Sequence, residues 1–532
     1  MPRGTQTIRG TEYVYEYDSS WNKEKGYSNH KRVYIGKMID GVFVPNKNHQ
    51  LRAALDVATK ASPGPVPITA SSRTFCGATY LFDAIGQKLG ITEDMKSCFP
   101  DFWKQILSIA YYLIMEDRNP LSRFPHWSAS HRHPFGAVIP SQRSSELFAA
   151  ISEDSKQRFF LAQARRRMET EYLAYDTTSV SSYSKLIKQV RYGLNKDHES
   201  LPQINLALLF GETTGLPVYY RKLPGNINDV TTIRRLLADI DFLEFDKVKL
   251  VMDRGFYSED NINALFQHHY KFLIGVRKSL KLVQATLDEV RDSMLGRASY
   301  SSRFRVNYHS RTVAWKYRKL NKQGETVEQG ERRLYLHLYF NDQKAVDDKA
   351  AFNALLDALE AELLSGTRDP DHEKLYVKYY DISKTPVRGI ALIPRQEAID
   401  AAEKNYGDFA LISNDIKDPL EALGIYRSKD IIEKAFGNLK ERLNMRRTSV
   451  SSEENLEGKL FVQFVALTYL SYINKAMSEH NLYKDYTMHE LLDSLDLIEC
   501  FEHPGHRPQV GEITKKQTEL YKALGVTLPT SV

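Results

Sequence analysis

Strand-forming positions dominate the start of the chain, and helical apolar spacing follows. Residues 11–45 carry Tyr13, Val14, Tyr15 and Tyr17, then Val33, Tyr34 and Ile35, with turns at Gly26 and Asp40-Gly41. This predicts a small β-rich module over 1–60 with basic edges. A Pro/Gly-rich stretch at 61–68 reads as a linker. The period then changes to that of a helix over 76–90, over 101–117 and in two segments within 141–170, so 70–170 reads as a helical region.

From residue 171 the pattern becomes mixed. Short apolar runs predict strands at 172–176, 204–210 and 216–223, the last two joined by a turn at 211–215. A helix over 228–240 follows, with Asn228 or Asp229 placed to cap it. Then come a strand at 247–252, a helix at 258–269 and a strand at 271–276. This block, 171–279, is interrupted by an insertion at 280–405 with strand-like pieces at 303–320 and 334–340, a helix at 342–364 and a loop at 366–372. The block resumes over 406–480 with a strand at 408–413, a helix at 426–440 and a buried helix at 454–478. Residues 481–532 read as a polar C-terminal tail.

Composition narrows the class. A chain of 532 residues is too long for one core. Hydrophobic and charged fractions of 42% and 26% are those of a globular protein. A net charge of +6 permits a nucleic-acid partner without requiring one. Three distant cysteines, Cys76, Cys98 and Cys500, suggest a reducing compartment and neither a disulfide frame nor a zinc site. The N-terminus has no apolar signal region. The most apolar run, 460–473, is too short for a membrane span and contains Gln463 and Thr468.

Three acids stand out. Asp176 and Asp253 each close an apolar strand and so face loops. Glu433 lies in 426–440, YRSKDIIEKAFGNLK. On a helix, Tyr426, Lys429, Glu433 and Lys440 would share a narrow arc, and Ile432, Ala435, Phe436, Leu439 and Leu443 a separate apolar one. Either aspartate alone would ordinarily be a turn or cap residue, and the helix a solvated charged face.

The spacing Y-x2-K-x3-E-x6-K resembles the Y-x2-R-x3-E-x6-K signature of bacterial DDE transposases of insertion-sequence family four. Lys429 stands where that family has Arg, which keeps the charge but not the bidentate fork. The resemblance covers about 170–475 and implies an α/β RNase H-like catalytic domain, split by a large insertion. The predicted element order, three strands in hairpin fashion and then helix, strand, helix, strand, agrees with it. It further implies that Asp176, Asp253 and Glu433 are the catalytic carboxylates. They would hold two Mg²⁺ (or Mn²⁺) ions, with Asp176 bridging. Carboxylates suit these hard ions, and two ions suit a reaction that develops charge on both attacking and leaving oxygens. Tyr426, Lys429, Lys440 and Arg254 would contact DNA near the scissile bond, and Arg442, Arg446 and Arg447 would extend the basic surface.

The implied partners are double-stranded DNA, as the terminal inverted repeats of a mobile element and as target, and a second copy of the chain in a synaptic homodimer. No membrane is involved, and the implied location is the bacterial cytoplasm, at the nucleoid. Relatives release the element through a DNA hairpin. Two rival readings are an RNase H-like nuclease without strand transfer and a domesticated, catalytically dead DNA-binding protein.

Other features carry less. His131-Arg132-His133 and His268-His269 lack zinc-like spacing. The turn 211–215 is not a phosphate loop, since no Lys-Ser/Thr follows it. Ser179, Ser181, Ser182 and Ser184 have no histidine beside them. Trp315, among Lys316, Arg318 and Lys319, is the best aromatic to stack on a flipped base. Arg165, Arg166 and Arg167 suit either DNA-end recognition or a solvated face.

Overall fold

The computed structural model describes residues 3–8, 10–22, 27–39, 41–47, 49, 71–117, 119–166, 171–242, 248–321, 323, 325–385, 389–503 and 506–529. The expected linker 61–68, the turn residues Gly26 and Asp40, and Arg167 lie outside them. The chain divides into two compact units.

The first unit comprises 1–81, 126–133 and 490–532. Strands β1 (Arg3–Ile8), β2 (Thr11–Asn22), β3 (Tyr27–Ile39) and β4 (Val42–Pro45) form an antiparallel meander in that order. Gly10 and Gly41 lie in two of its turns at φ 80 and 77, a backbone region open to glycine. A second sheet joins β5 (Ser72–Phe75) to β18 (Glu499–Glu502) and β19 (Gln509–Val510). The C-terminal stretch is therefore more than a polar tail. Its helix Lys515–Ala523 opens with a capping box between Thr514 and Gln517 and buries Leu520 and Tyr521. The sequence hid this because only two of its nine residues are buried apolar ones.

The second unit, 82–125 and 134–489, is built on a ten-stranded mixed sheet. Strands β6 (Leu173–Ser182), β7 (Gln203–Gly211) and β8 (Pro217–Pro224) pair antiparallel, and β9 (Lys249–Met252) and β10 (Lys271–Val276) add to the other side of β6 in parallel. The spatial order β8-β7-β6-β9-β10 is the RNase H-like arrangement that the element order predicts. These central strands are covered on both faces and so read as nearly continuous apolar runs.

The insertion is partly continuous with that sheet. β11 (Tyr300–Ser301), β12 (Val306–Leu320) and β13 (Thr326–Phe340) extend it beyond β16 (Asp408–Ser413), which pairs antiparallel with β10. The helix Lys281–Met294 packs on the sheet's core, whereas the helices Asp342–Ser365, Glu373–Tyr379 and Gln396–Glu403 and the hairpin of β14 (Tyr380–Thr385) and β15 (Gly389–Pro394) lie off the sheet. They carry a small core of Leu359, Leu363, Tyr376, Tyr379, Tyr380 and Ile399.

The helix Glu453–Glu479 is buried along most of its 27 residues. It packs against the helices Trp103–Met115 and Ser141–Ala150. At the closest approach, a Cβ on Gly458 would lie 2.1 Å from the Phe148 carbonyl oxygen. Much of the expected helical region thus shares a unit with the large sheet, and Arg166 pairs with Asp94 at 2.8 Å and Glu93 at 3.1 Å. No helix of the described residues is long and apolar enough to cross a membrane.

Candidate active site

The sheet's register brings the two aspartates together. Tyr175 of β6 lies opposite Met252 of β9 in a parallel pair, so Asp176 and Asp253 are the next residues on adjacent chains, about 4.8 Å apart as strands. Alternation then sets the face. Tyr175, Met252 and Ile274 belong to the core on one side, and Tyr172, Val251 and Leu273 to the core on the other. Asp176, Asp253 and Gly275 therefore share the second side, where Tyr426 packs.

Asp176 is not at a strand end as the apolar run suggests. β6 continues six residues past it through Thr177 to Ser182. Those polar residues remain buried because their side chains find partners: Ser179 meets Asn205 at 3.4 Å, and Asn195 donates to Ser181 at 3.2 Å. The Asp176 carboxylate accepts the Thr177 N–H at 2.7 Å and lies 3.5 Å from the Lys196 ammonium. Burial pushes this carboxyl above its ordinary range, against the pull of Lys196, the Thr177 N–H and Lys429.

Asp253 follows β9 in extended backbone and caps the turn Arg254–Phe256 by accepting the Arg254 N–H at 2.9 Å. It also accepts the Tyr426 hydroxyl at 2.6 Å. Burial pushes this carboxyl up, but the Tyr426 hydroxyl, Lys429 and Arg254 together bring it below its ordinary range. The phenol is raised in turn, first by burial and then by Asp253. Gly275 makes this bond possible: a Cβ there would come 2.7 Å from the Tyr426 hydroxyl oxygen and 3.1 Å from the Arg254 nitrogen.

The segment 426–440 is not one helix. The helix Pro419–Ser428, capped by Asp418, ends at Tyr426's turn, and a second helix, Asp430–Gly437, starts after Lys429. It then widens into a π turn, Asn438–Arg442. Lys429 lies at the junction, 7% exposed, with its ammonium 3.8 Å from Asp253 and 3.8 Å from Glu433. Glu433 is exposed on the first turn of the second helix. Lys440 lies in that π turn. Its ammonium binds both carboxylate oxygens of Asp197, at 2.8 and 2.6 Å. Arg447, on β17 (Arg447–Thr448) beside β6, binds Glu199 at 2.9 Å. Arg254 and Arg446 are exposed and Arg442 is half-buried.

Asp176, Asp253, Tyr426, Lys429 and Glu433 are thus gathered, while Lys440 and Arg447 are held by acids of the 195–199 loop. Among the described residues, no three acidic, histidine or cysteine side chains are grouped closely enough to hold a metal ion as they stand. The Trp315 indole is half-buried, donates to Asn263 at 2.9 Å and packs at the edge of the core. Sequence reasoning missed Lys196, Asp197, Glu199 and Gly275. The charged run NKDHE at 195–199 was the available signal, but nothing in it says what it folds onto.

A family model described as "Transposase DDE domain" matches residues 168–469, more than half of the chain. No curated protein matches. Among solved structures, the chain is similar to a piggyBac transposase in a cryo-EM synaptic complex with hairpin DNA. That match has 12% identity and a TM-score of 0.34 over 78% of this chain and 70% of that one, a likeness too slight to bear on fold or site. The family model spans the whole interval from β6 to the helix after Lys440, and on that match this chain belongs to the DDE-domain transposases.

Proposed function

We propose that this chain cleaves the inverted-repeat ends of a mobile DNA element and joins them to target DNA, with Asp176, Asp253 and Glu433 as its catalytic acids. The observation that carries this reading is the register of β6 against β9. It sets Asp176 beside Asp253 on the face where Tyr426 and Lys429 tie in the helix bearing Glu433.

The donors suit divalent cations of the Mg²⁺ or Mn²⁺ type. All three are carboxylates, and they already converge on ammonium groups, Lys429 between Asp253 and Glu433 and Lys196 at Asp176. In this reading Asp176, Asp253 and Glu433 would hold the ions. When bound, the ions supply an activated water or 3′-hydroxyl and stabilise the leaving oxygen. Tyr426 fixes the orientation of Asp253 through its 2.6 Å hydrogen bond. Lys429, Arg254, Arg442 and Arg446 supply positive charge for phosphates, and Lys440 and Arg447 do so after exchanging Asp197 and Glu199 for DNA. The enzyme pairs two ends as a homodimer and opens the second strand through a hairpin at the element end.

Asp253→Asn and Glu433→Gln should abolish nicking of a duplex carrying the terminal inverted repeat while leaving its binding intact. Undiminished nicking by Asp253→Asn would overturn the assignment. Strand transfer from pre-cleaved ends separates this reading from a nuclease that only cuts. Finding only open 5′-phosphate termini among excised ends would remove the hairpin.

A further inference from the structure

The proposed acids account for Asp176 but not for the ammonium beside it. Lys196 reaches back from the loop after β6 and donates to the Thr177 carbonyl at 2.7 Å and the Thr177 hydroxyl at 2.8 Å. It lies 3.5 Å from both Asp176 and Asp229. Asp229, at the start of the helix Asp229–Phe242, accepts the same Thr177 hydroxyl at 2.6 Å. The loop itself is fastened on each side. The Lys196 N–H donates to Ser179 at 3.2 Å, Asn195 donates to Ser181, and Asp197 holds Lys440 of the segment carrying Glu433. Four oxygens therefore surround the Lys196 ammonium, although its side chain is still 36% exposed. A surface lysine with no task would remain in water, because holding a long side chain costs rotamer entropy and an exposed pair returns little.

We propose that Lys196 is a further catalytic residue of this transposase. In the DNA-free protein it is the counter-charge of Asp176, and in the loaded complex it contacts the phosphate at the scissile bond. The inference rests on the proposed role of Asp176. Once Asp176 holds a divalent ion, an ammonium 3.5 Å away is repelled. Its exposed side lets the ammonium swing toward solvent on its flexible stem, pivoting on the loop that Ser179 and Ser181 fasten. A phosphate oxygen is then the nearest anion, and charge-assisted contact there stabilises the charge that develops as the bond breaks.

This reading predicts two opposite effects of one substitution. Lys196→Met removes the competing charge, so Mn²⁺ binds the full-length DNA-free protein about tenfold more tightly, read by EPR titration of free Mn²⁺. The same change removes the phosphate contact, so single-turnover nicking of inverted-repeat duplex at saturating Mg²⁺ slows about tenfold or more. Lys196→Arg, which keeps the charge, should restore nicking and leave Mn²⁺ affinity at the parental level. Equal or weaker Mn²⁺ binding by Lys196→Met overturns the proposal, as does an unchanged nicking rate. A purely structural lysine would lower both properties and the unfolding midpoint together, and that result also overturns it. Asp253→Asn is the control: if it still nicks, the active-site assignment fails; if it does not and Lys196→Met behaves as the parent, only the role of Lys196 fails.

Discussion

Gly275→Ala tests how closely the Tyr426–Asp253 contact is built. A Cβ at residue 275 would lie 2.7 Å from the Tyr426 hydroxyl oxygen but 3.4 Å from the ring carbon that bears it. The severe clash is with the tip of the side chain, and the ring escapes by tilting away from Asp253, while the Arg254 nitrogen at 3.1 Å must give by a few tenths of an ångström. What is lost is the 2.6 Å hydrogen bond to a carboxylate. Such bonds contribute roughly 1.5–3 kcal/mol. The Asp253 side chain is 43% exposed, which puts the expectation at the lower end, about 1.5 kcal/mol or roughly tenfold in a rate that depends on its orientation. Tyr426→Phe removes the same bond and also removes the clashing atom. The two single variants should therefore each slow nicking of inverted-repeat duplex by about tenfold, and the double variant should be no slower than either, a coupling of about 1.5 kcal/mol. The assay is single-turnover nicking at saturating divalent ion, with urea unfolding to confirm that all three variants fold. Additive losses, about a hundredfold in the double variant, would refute the reasoning, because they would mean that Gly275 serves something other than the path of Tyr426.

Asp176→Asn should raise the stability of the metal-free protein near neutral pH and lose that advantage in acid. The folded carboxyl titrates above its unfolded value, first through burial, so its ionisation weighs against folding once pH passes the unfolded pKa; urea midpoints at pH 7 and pH 3 check the sign. Asp253 has the opposite sign. Its depressed pKa contributes stability that is present above the unfolded pKa and lost as pH falls through the folded one, so Asp253→Asn should flatten the acid limb of the urea midpoint. Lys440→Met should reduce the slope of log affinity for inverted-repeat DNA against log salt by about one if Lys440 leaves Asp197 for a phosphate, and an unchanged slope would keep it as an internal ion pair. Gly458→Ala should destabilise by about 2 kcal/mol or more, since its Cβ would meet the Phe148 backbone carbonyl rather than a movable side chain; a urea midpoint equal to the parent's would contradict this.

The sequence alone determined the elements of the central sheet and their order. Strands buried on both faces must be largely apolar, so 204–210 and 271–276 declared themselves with little ambiguity. It also marked Asp176, Asp253 and Glu433, because the 426–440 spacing is specific and two aspartates close apolar runs ahead of it in the order that the resemblance implies. Only the tertiary structure decided which residues meet. The strand through Ser182 was hidden because its hydroxyls are satisfied by a loop residue, Asn195, and by the neighbouring strand's Asn205. The break at Lys429 and the π turn at 438–442 were hidden because helical periodicity assumes a constant 100° per residue, whereas docking on Gln463, which donates to the Leu443 carbonyl at 2.7 Å, fixes where the turns end. The charged run around Lys196 does not say what it folds onto, and Gly275 carries no pattern at all. One is set by a loop folding back on β6 and the other by the space a phenol needs to reach a carboxylate, and a linear sequence encodes neither distance.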